Sequence, residues 1–194
     1  MPKNKNKDDT DYIKHWFDDS FHRPSRTVYM GDVYGGIEDG LCADVFKAIH
    51  QMECDGGEHI NIYLNSYGGD CSNSFAIYER LKSSPCPVII DVYGACMSGG
   101  SIIFQAGDVR RISKMSVFMI HDGEDYYCGQ QRSFEAWGEW SKKHYRKYMY
   151  SVYYQNMRKV NKNITIKEIE QLCSKDSIFT AKQAVKLGLA DEVI

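Results

Sequence analysis

The 194-residue sequence has no apolar run long enough to span a bilayer, and its first eleven residues, Met1 to Asp11, are mostly Lys, Asn and Asp with no apolar stretch. Neither a secretory signal nor a lipid anchor is visible there, and no membrane partner is expected. Charge of one sign is lacking too: 24 Lys and Arg face 26 Asp and Glu, for a net charge of -2. Without a broad positive field, nucleic acid is not an expected partner. The seven cysteines, Cys42, Cys54, Cys71, Cys86, Cys96, Cys128 and Cys173, form no Cys-x-x-Cys pair and have no suitably spaced histidine. No metal site or cofactor is expected, and the odd thiol count fits a reducing cytoplasm with most cysteines acting as small buried apolar residues. No Gly-x-x-x-x-Gly-Lys-Ser/Thr loop occurs, so the chain itself should not hydrolyse ATP.

What is present is a strand-helix rhythm. Residues 1–26 are polar and read as an N-terminal arm, although Tyr12, Ile13, Trp16 and Phe17 fall at helical spacing. Thr27 to Met30 reads as a strand. The apolar stripe Leu41, Val45, Phe46, Ile49 and Met52 reads as a helix that Gly56-Gly57 ends. Ile60 to Leu64 alternates as a strand, and the helix after Gly69 runs until Pro85 and Pro87 forbid it. The phrase repeats as strand Val88 to Val92, a Gly-rich elbow, and a helix over Ser101 to Gln105 closed by Gly107. Strands at Val109 to Ile112 and Val117 to Ile120 follow. Units at this spacing predict an α/β fold with its chemistry at the carboxyl ends of the strands. Arg132 to Val160 holds no proline and reads as one long helix. Thr165-x-x-Glu168 and Thr180-x-x-Gln183 are capping boxes for two short ones, with Asp176 in the loop between them.

The chemistry-bearing pair is Ser98, in Gly94-Ala95-Cys96-Met97-Ser98-Gly99-Gly100, and His121, which ends the run Val117 to Ile120. A serine among small residues before a helix is by itself more often a packing feature, and a histidine ending a strand more often a structural one. Their conjunction at two strand ends reads as a serine hydrolase, because the hydroxyl needs a base and the base needs a buried acid to fix its tautomer. Asp122 adjoins His121, but neighbours on an extended chain point to opposite faces. Asp176 is freer to fold back, and the residues alone do not choose it over Asp125. The other histidines, His15, His22, His50, His59 and His144, fall in polar arms, helix surfaces or turns.

Asn65-Ser66-Tyr67-Gly68-Gly69, Ala76-Ile77-Tyr78, the Ser98 segment, Ala106-Gly107, Met119-Ile120-His121 and the ending from Asp176 through Asp191 follow one another in a specific order. In that order they resemble the proteolytic subunit of the Clp protease, within the crotonase-like superfamily. The resemblance covers residues 27–194 as the peptidase domain, with a handle at about residues 124–164. It implies a fold of repeated strand-strand-helix units with a long protruding handle helix. It implies Ser98 as nucleophile, His121 as base and Asp176 as orienting acid, with the backbone amides of Gly69 and Gly99 forming the oxyanion hole. It also implies homo-oligomeric heptameric rings, stacked as a tetradecamer around a chamber. An AAA+ unfoldase partner would supply ATP hydrolysis.

Several positions depart from the family pattern. Tyr67 stands for the proline usual before the glycine pair, and Gly99 for a bulkier residue after the nucleophile. Asp122-Gly123 stands for Gln-Pro, and Ser177 for an arginine used between rings. The span from His121 to Asp176 is about six residues longer than usual. Rival readings are a phage capsid-maturation protease of the same fold, an acyl-CoA hydratase or isomerase, and a catalytically inactive ring subunit. A further rival is RNA binding through Lys142 to Lys147.

Overall fold

The computed structural model describes residues 20–31, 36–124 and 129–194. The expected docking helix at Tyr12 to Phe17, as well as Asp125 and Cys128, lies outside them. Among the described residues the strands are β1 (Phe21–His22), β2 (Thr27–Gly31), β3 (Ile60–Ser66), β4 (Val88–Met97), β5 (Val109–Ile112), β6 (Val117–Ile120), β7 (Ser177–Thr180) and β8 (Glu192–Val193). The α-helices are α1 (Asp39–Asp55), α2 (Cys71–Lys82), α3 (Gly99–Phe104), α4 (Gln131–Val160), α5 (Ile166–Cys173) and α6 (Ala181–Leu187). A sheet of eight strands runs β1-β2-β3-β4-β5-β8, with β6 added to β4 and β7 to β6. The pairings are parallel except β1 with β2 and β6 with β7.

The predicted elements form where their patterns put them. Ile60, Ile62 and Leu64 alternate into the core from β3, and Val88, Ile90 and Val92 from β4. α1 buries Leu41, Val45, Ala48, Ile49 and Met52, and ends at Gly56, whose φ of 67° an L side chain rarely adopts. Both capping boxes close as the sequence indicates, on Thr165 with Glu168 and on Thr180 with Gln183. The opposite sheet face is wetter: Tyr29, Tyr63 and Tyr93 stay exposed in an edge-to-face row across β2, β3 and β4.

Three features differ from the sequence reading. β4 does not stop at Val92 but continues through the glycine-containing stretch to Met97, leaving Ser98 alone as the elbow before α3. Asp176 does not simply lie between helices, because the next four residues form β7, too short and too mixed in pattern to read as a strand. The last residues of the polar arm are structured: β1 pairs with β2, and Arg23 forms an ion pair with Asp55.

The C-terminal segment is anchored by Arg110, of which only 3% of the side chain is exposed. Its guanidinium donates to the Asp191 carboxylate, to Gln105 Oε1 at 2.6 Å and to the Gly188 carbonyl at 3.2 Å. Asp191 is 42% exposed and can be rehydrated, so the loss falls on the buried hydrogen bonds and the packing of the side chain. Losing hydrogen bonds to buried groups costs about 1–3 kcal/mol, so Arg110→Ala should lower stability by at least about 1 kcal/mol in urea unfolding, and an unchanged stability would contradict this account.

Candidate active site

The sheet register brings the three sequence-predicted side chains together. β4 and β6 are parallel, with Met97 opposite Met119, so Ser98 and His121 leave adjacent strand ends. β6 and β7 are antiparallel with Ile120 opposite Ser177, so the next residues outward are His121 and Asp176. The result is one hydrogen-bonded line. Ser98 Oγ lies 2.8 Å from His121 Nε2, and His121 Nδ1 lies 3.0 Å from Asp176 Oδ1. An ionised carboxylate only accepts, so Nδ1 carries the proton and Nε2 is left to accept from the serine hydroxyl. The acid is not the buried group that triad logic led us to expect: 68% of the Asp176 side chain is exposed.

Ser98 adopts φ 50° and ψ -124°, a conformation rare for a residue with a Cβ. Such backbone costs about 1–3 kcal/mol. It is held from both sides: the Ser98 amide donates to the Met119 carbonyl at 3.1 Å, and the Ser98 carbonyl accepts from the Ser101 amide at 3.0 Å and the Ser101 hydroxyl at 2.6 Å. Close approach also explains two of the surrounding glycines. A Cβ on Gly68 would lie 2.6 Å from Ser98 Cβ, and one on Gly99 would lie 2.2 Å from Ser74 Oγ.

Gly69 forms a single parallel bridge with Ile37, in which the Ile37 amide donates to the Gly68 carbonyl at 2.9 Å and the Asp70 amide to the Ile37 carbonyl at 2.8 Å. Those bonds use the groups flanking Gly69, so its own amide faces the other way. The Gly99 amide is the first of α3, which has no intrahelical acceptor for it. Both glycines line a cleft of about 610 Å³ shared with Ser98 and His121. Ile102, Met149, Trp137 and Tyr145 supply its apolar wall, so the amino-terminal half of α4 overhangs the site.

Asp122 turns away from His121, as alternation requires. Its carboxylate accepts from the Tyr150 hydroxyl at 2.6 Å and lies 3.7 Å from Arg146 Nη1, while its amide donates to the Cys173 carbonyl at 2.7 Å. Burial first, then this hydrogen bond, raises the Tyr150 phenol well above its ordinary pKa. Burial likewise pushes up the Cys96 thiol, and takes that of Cys173 to about 12, with the Asp122 carboxylate adding to the effect. Both shifts disfavour the thiolate that a nucleophile or metal ligand needs. Among the described residues no cluster of His, Cys, Asp and Glu is placed to hold a metal ion, and no helix is long and apolar enough to cross a membrane. Of the other described histidines, His22 contacts Ser25, His50 contacts Cys54, and His144 packs at a tilt against Trp140.

Sequence reasoning missed the supports: Ser101, Tyr150 and Tyr153. Only Ser101, three residues after Ser98, carried any local signal, as a polar residue inside an otherwise apolar helix.

The model of one family, described as Clp protease, matches residues 23–194, and the chain belongs to that family of serine peptidases. Similar curated proteins include "ATP-dependent Clp protease proteolytic subunit 1" of Mycobacterium tuberculosis and of Mycobacterium leprae. Each is 25% identical over 175 residues, covering 87% of this chain and 82% of the relative. "ATP-dependent Clp protease proteolytic subunit 2" of Mycolicibacterium paratuberculosis is 24% identical with the same coverage.

Gly68 gives a direct check on this geometry. In Gly68→Ala the new methyl must displace Ser98, and displacements of about 1 Å cost on the order of 10²-fold in reaction rate. Labelling of Ser98 by a fluorophosphonate should slow by at least that factor, whereas labelling at the wild-type rate in folded protein would refute the close approach.

Proposed function

We propose that this chain is a Clp-type endopeptidase subunit that hydrolyses unfolded or short peptides, with Ser98 as nucleophile, His121 as general base and acid, and Asp176 as the orienting carboxylate. The observation that carries the reading is the continuous Ser98–His121–Asp176 hydrogen-bond line, whose Ser98 and His121 open onto the cleft. As Ser98 Oγ attacks the scissile carbonyl, its proton passes to His121 Nε2, and Asp176 stabilises the imidazolium that forms. The negative charge developing on the carbonyl oxygen is met by the Gly69 and Gly99 amides, which need no reorganisation because the Ile37 bridge and the start of α3 already fix them. His121 then protonates the departing amine, and water repeats the sequence on the acyl-enzyme.

The inactive-subunit reading has no feature in its favour, since nothing in the line is broken. The hydratase reading would leave the serine, histidine and aspartate without a task. On the proposed reading Ser98→Ala should abolish peptide cleavage, with losses in turnover on the order of 10⁴ to 10⁶, while assembly persists. Asp176→Asn should lose about 10⁴-fold through the wrong tautomer, and Asp122→Asn, which keeps an acceptor for Tyr150, far less. Ser98→Ala activity within tenfold of wild type, or equal losses in the two aspartate variants, would be the contrary result.

The assembly we propose is a homo-oligomeric cytoplasmic ring joined through α4, working with a separate AAA+ unfoldase. Exposed Phe134, Trp137 and Trp140, the last two stacked at 5.4 Å, support a partner chain for this helix. The printed names of the relatives, ATP-dependent proteolytic subunits, support the unfoldase. Light scattering should give at least a full ring. A fluorogenic peptide should be cut without ATP, and a stable folded substrate only with the ATPase present. Monomeric activity, or rapid unassisted cutting of a folded protein at a few sites, would count against the chamber and favour a maturation protease.

A further inference from the structure

Two tyrosines one turn apart on α4, Tyr150 and Tyr153, each reach one half of the Ser98–His121 pair. We propose that they are positioning residues, and that through Asp122 and Ser101 they set the separation between nucleophile and base. The proposal rests on the peptidase reading above.

Tyr150 and Tyr153 stand at i and i+3 and so share a helix face, the one turned into the protein, where they are 8% and 0% exposed. Tyr150 acts on the histidine side. Its hydroxyl donates to Asp122 Oδ1 at 2.6 Å, and Asp122 is the residue directly after His121. The same Asp122 is tied by its amide to the Cys173 carbonyl, at the end of the helix that leads to Asp176. The segment carrying the base is therefore fixed to α4 by a side chain and to α5 by its backbone.

Tyr153 acts on the serine side. Its hydroxyl lies 2.6 Å from Ser101 Oγ, and Ser101 Oγ in turn lies 2.6 Å from the Ser98 carbonyl. A carbonyl only accepts, so the one Ser101 proton goes to Ser98 and the phenol must donate to Ser101. Burial raises the Tyr153 phenol well above its ordinary range, which keeps that proton in place. The relay ends on the carbonyl of the residue whose backbone is held at positive φ. One rigid helix thus braces both strand ends, and neither phenol touches the reacting atoms.

The test uses the full-length protein and a fluorogenic peptide. Tyr150→Phe and Tyr153→Phe should each lower kcat roughly tenfold with KM unchanged, because binding is kept while alignment is lost. Double-mutant cycles separate positioning from packing. Tyr150→Phe should cost nothing further in Asp122→Ala, and Tyr153→Phe nothing further in Ser101→Ala. Where a phenylalanine variant does not assemble as wild type does, its partner-side counterpart, Asp122→Ala or Ser101→Ala, carries the kcat measurement instead. Wild-type kcat in the single variants, or a full independent loss in the alanine backgrounds, would overturn the proposal. A wild-type protein that neither cleaves peptide nor labels at Ser98 with fluorophosphonate would instead remove the peptidase reading, and this proposal with it.

Discussion

The site depends on a change of partner halfway along β4. Its first half pairs with β5 from Ile89 to Val92, and its second half pairs with β6 from Ala95 to Met97. A flat ten-residue strand would not make that exchange. The irregularity falls at Gly94, where φ is 100° and a Cβ would sit 2.5 Å from Asn65 Oδ1. Asn65 fills the space with its amide oxygen and accepts from the Ala95 amide at 2.9 Å, while Ser116 Oγ accepts from the Gly94 amide. Two side chains thus satisfy the backbone groups that the bulge takes out of the ladder. Because β4 turns onto β6 there, its end lies beside the end of β6, and Ser98 meets His121.

From that point strain and exposure are distributed unevenly. The serine end is rigid: positive φ, two glycines packed to contact, and a carbonyl held by three donors in α3. The aspartate end is open, on a loop between α5 and β7, and its alignment comes from the β6–β7 register and the Asp122 amide bond rather than from burial. A solvated carboxylate stabilises an imidazolium less than a buried one does. Geometry at Ser98 accordingly carries more of the site's organisation than charge at Asp176.

Much of this was legible in the sequence. Ser98 and His121 could be singled out because each follows an apolar run and is flanked by residues that end it, and the family resemblance then selected Asp176. What the sequence hid was pairing. β7 is four residues with a mixed pattern, and only its register with β6 brings Asp176 opposite His121. Periodicity reports which face of an element is apolar but not which neighbour it meets, so the continuation of β4 through Gly94 and the structured Phe21–His22 went unread. Tyr150 and Tyr153 were invisible for a related reason. Their tasks are set by contacts across 28 and 52 positions of chain, with no local signature at the tyrosines.

The long helix makes the same point about composition. The density of aromatic residues from Phe134 to Tyr154 reads as one surface awaiting a partner, yet the structure divides it. Tyr150 and Tyr153 are spent within the chain, and Phe75 packs against Tyr145 and Tyr148. Phe134, Trp137 and Trp140 remain outside, on a stretch whose residues are almost all exposed. A helix whose first turns stay mostly exposed is hard to justify for an isolated chain, because those turns gain little burial to offset the ordering of their side chains. Trp137 also lines the cleft beside Ser98. On the proposed reading, a partner chain covering the exposed aromatic face would border the cleft, and assembly and peptide binding would share a wall.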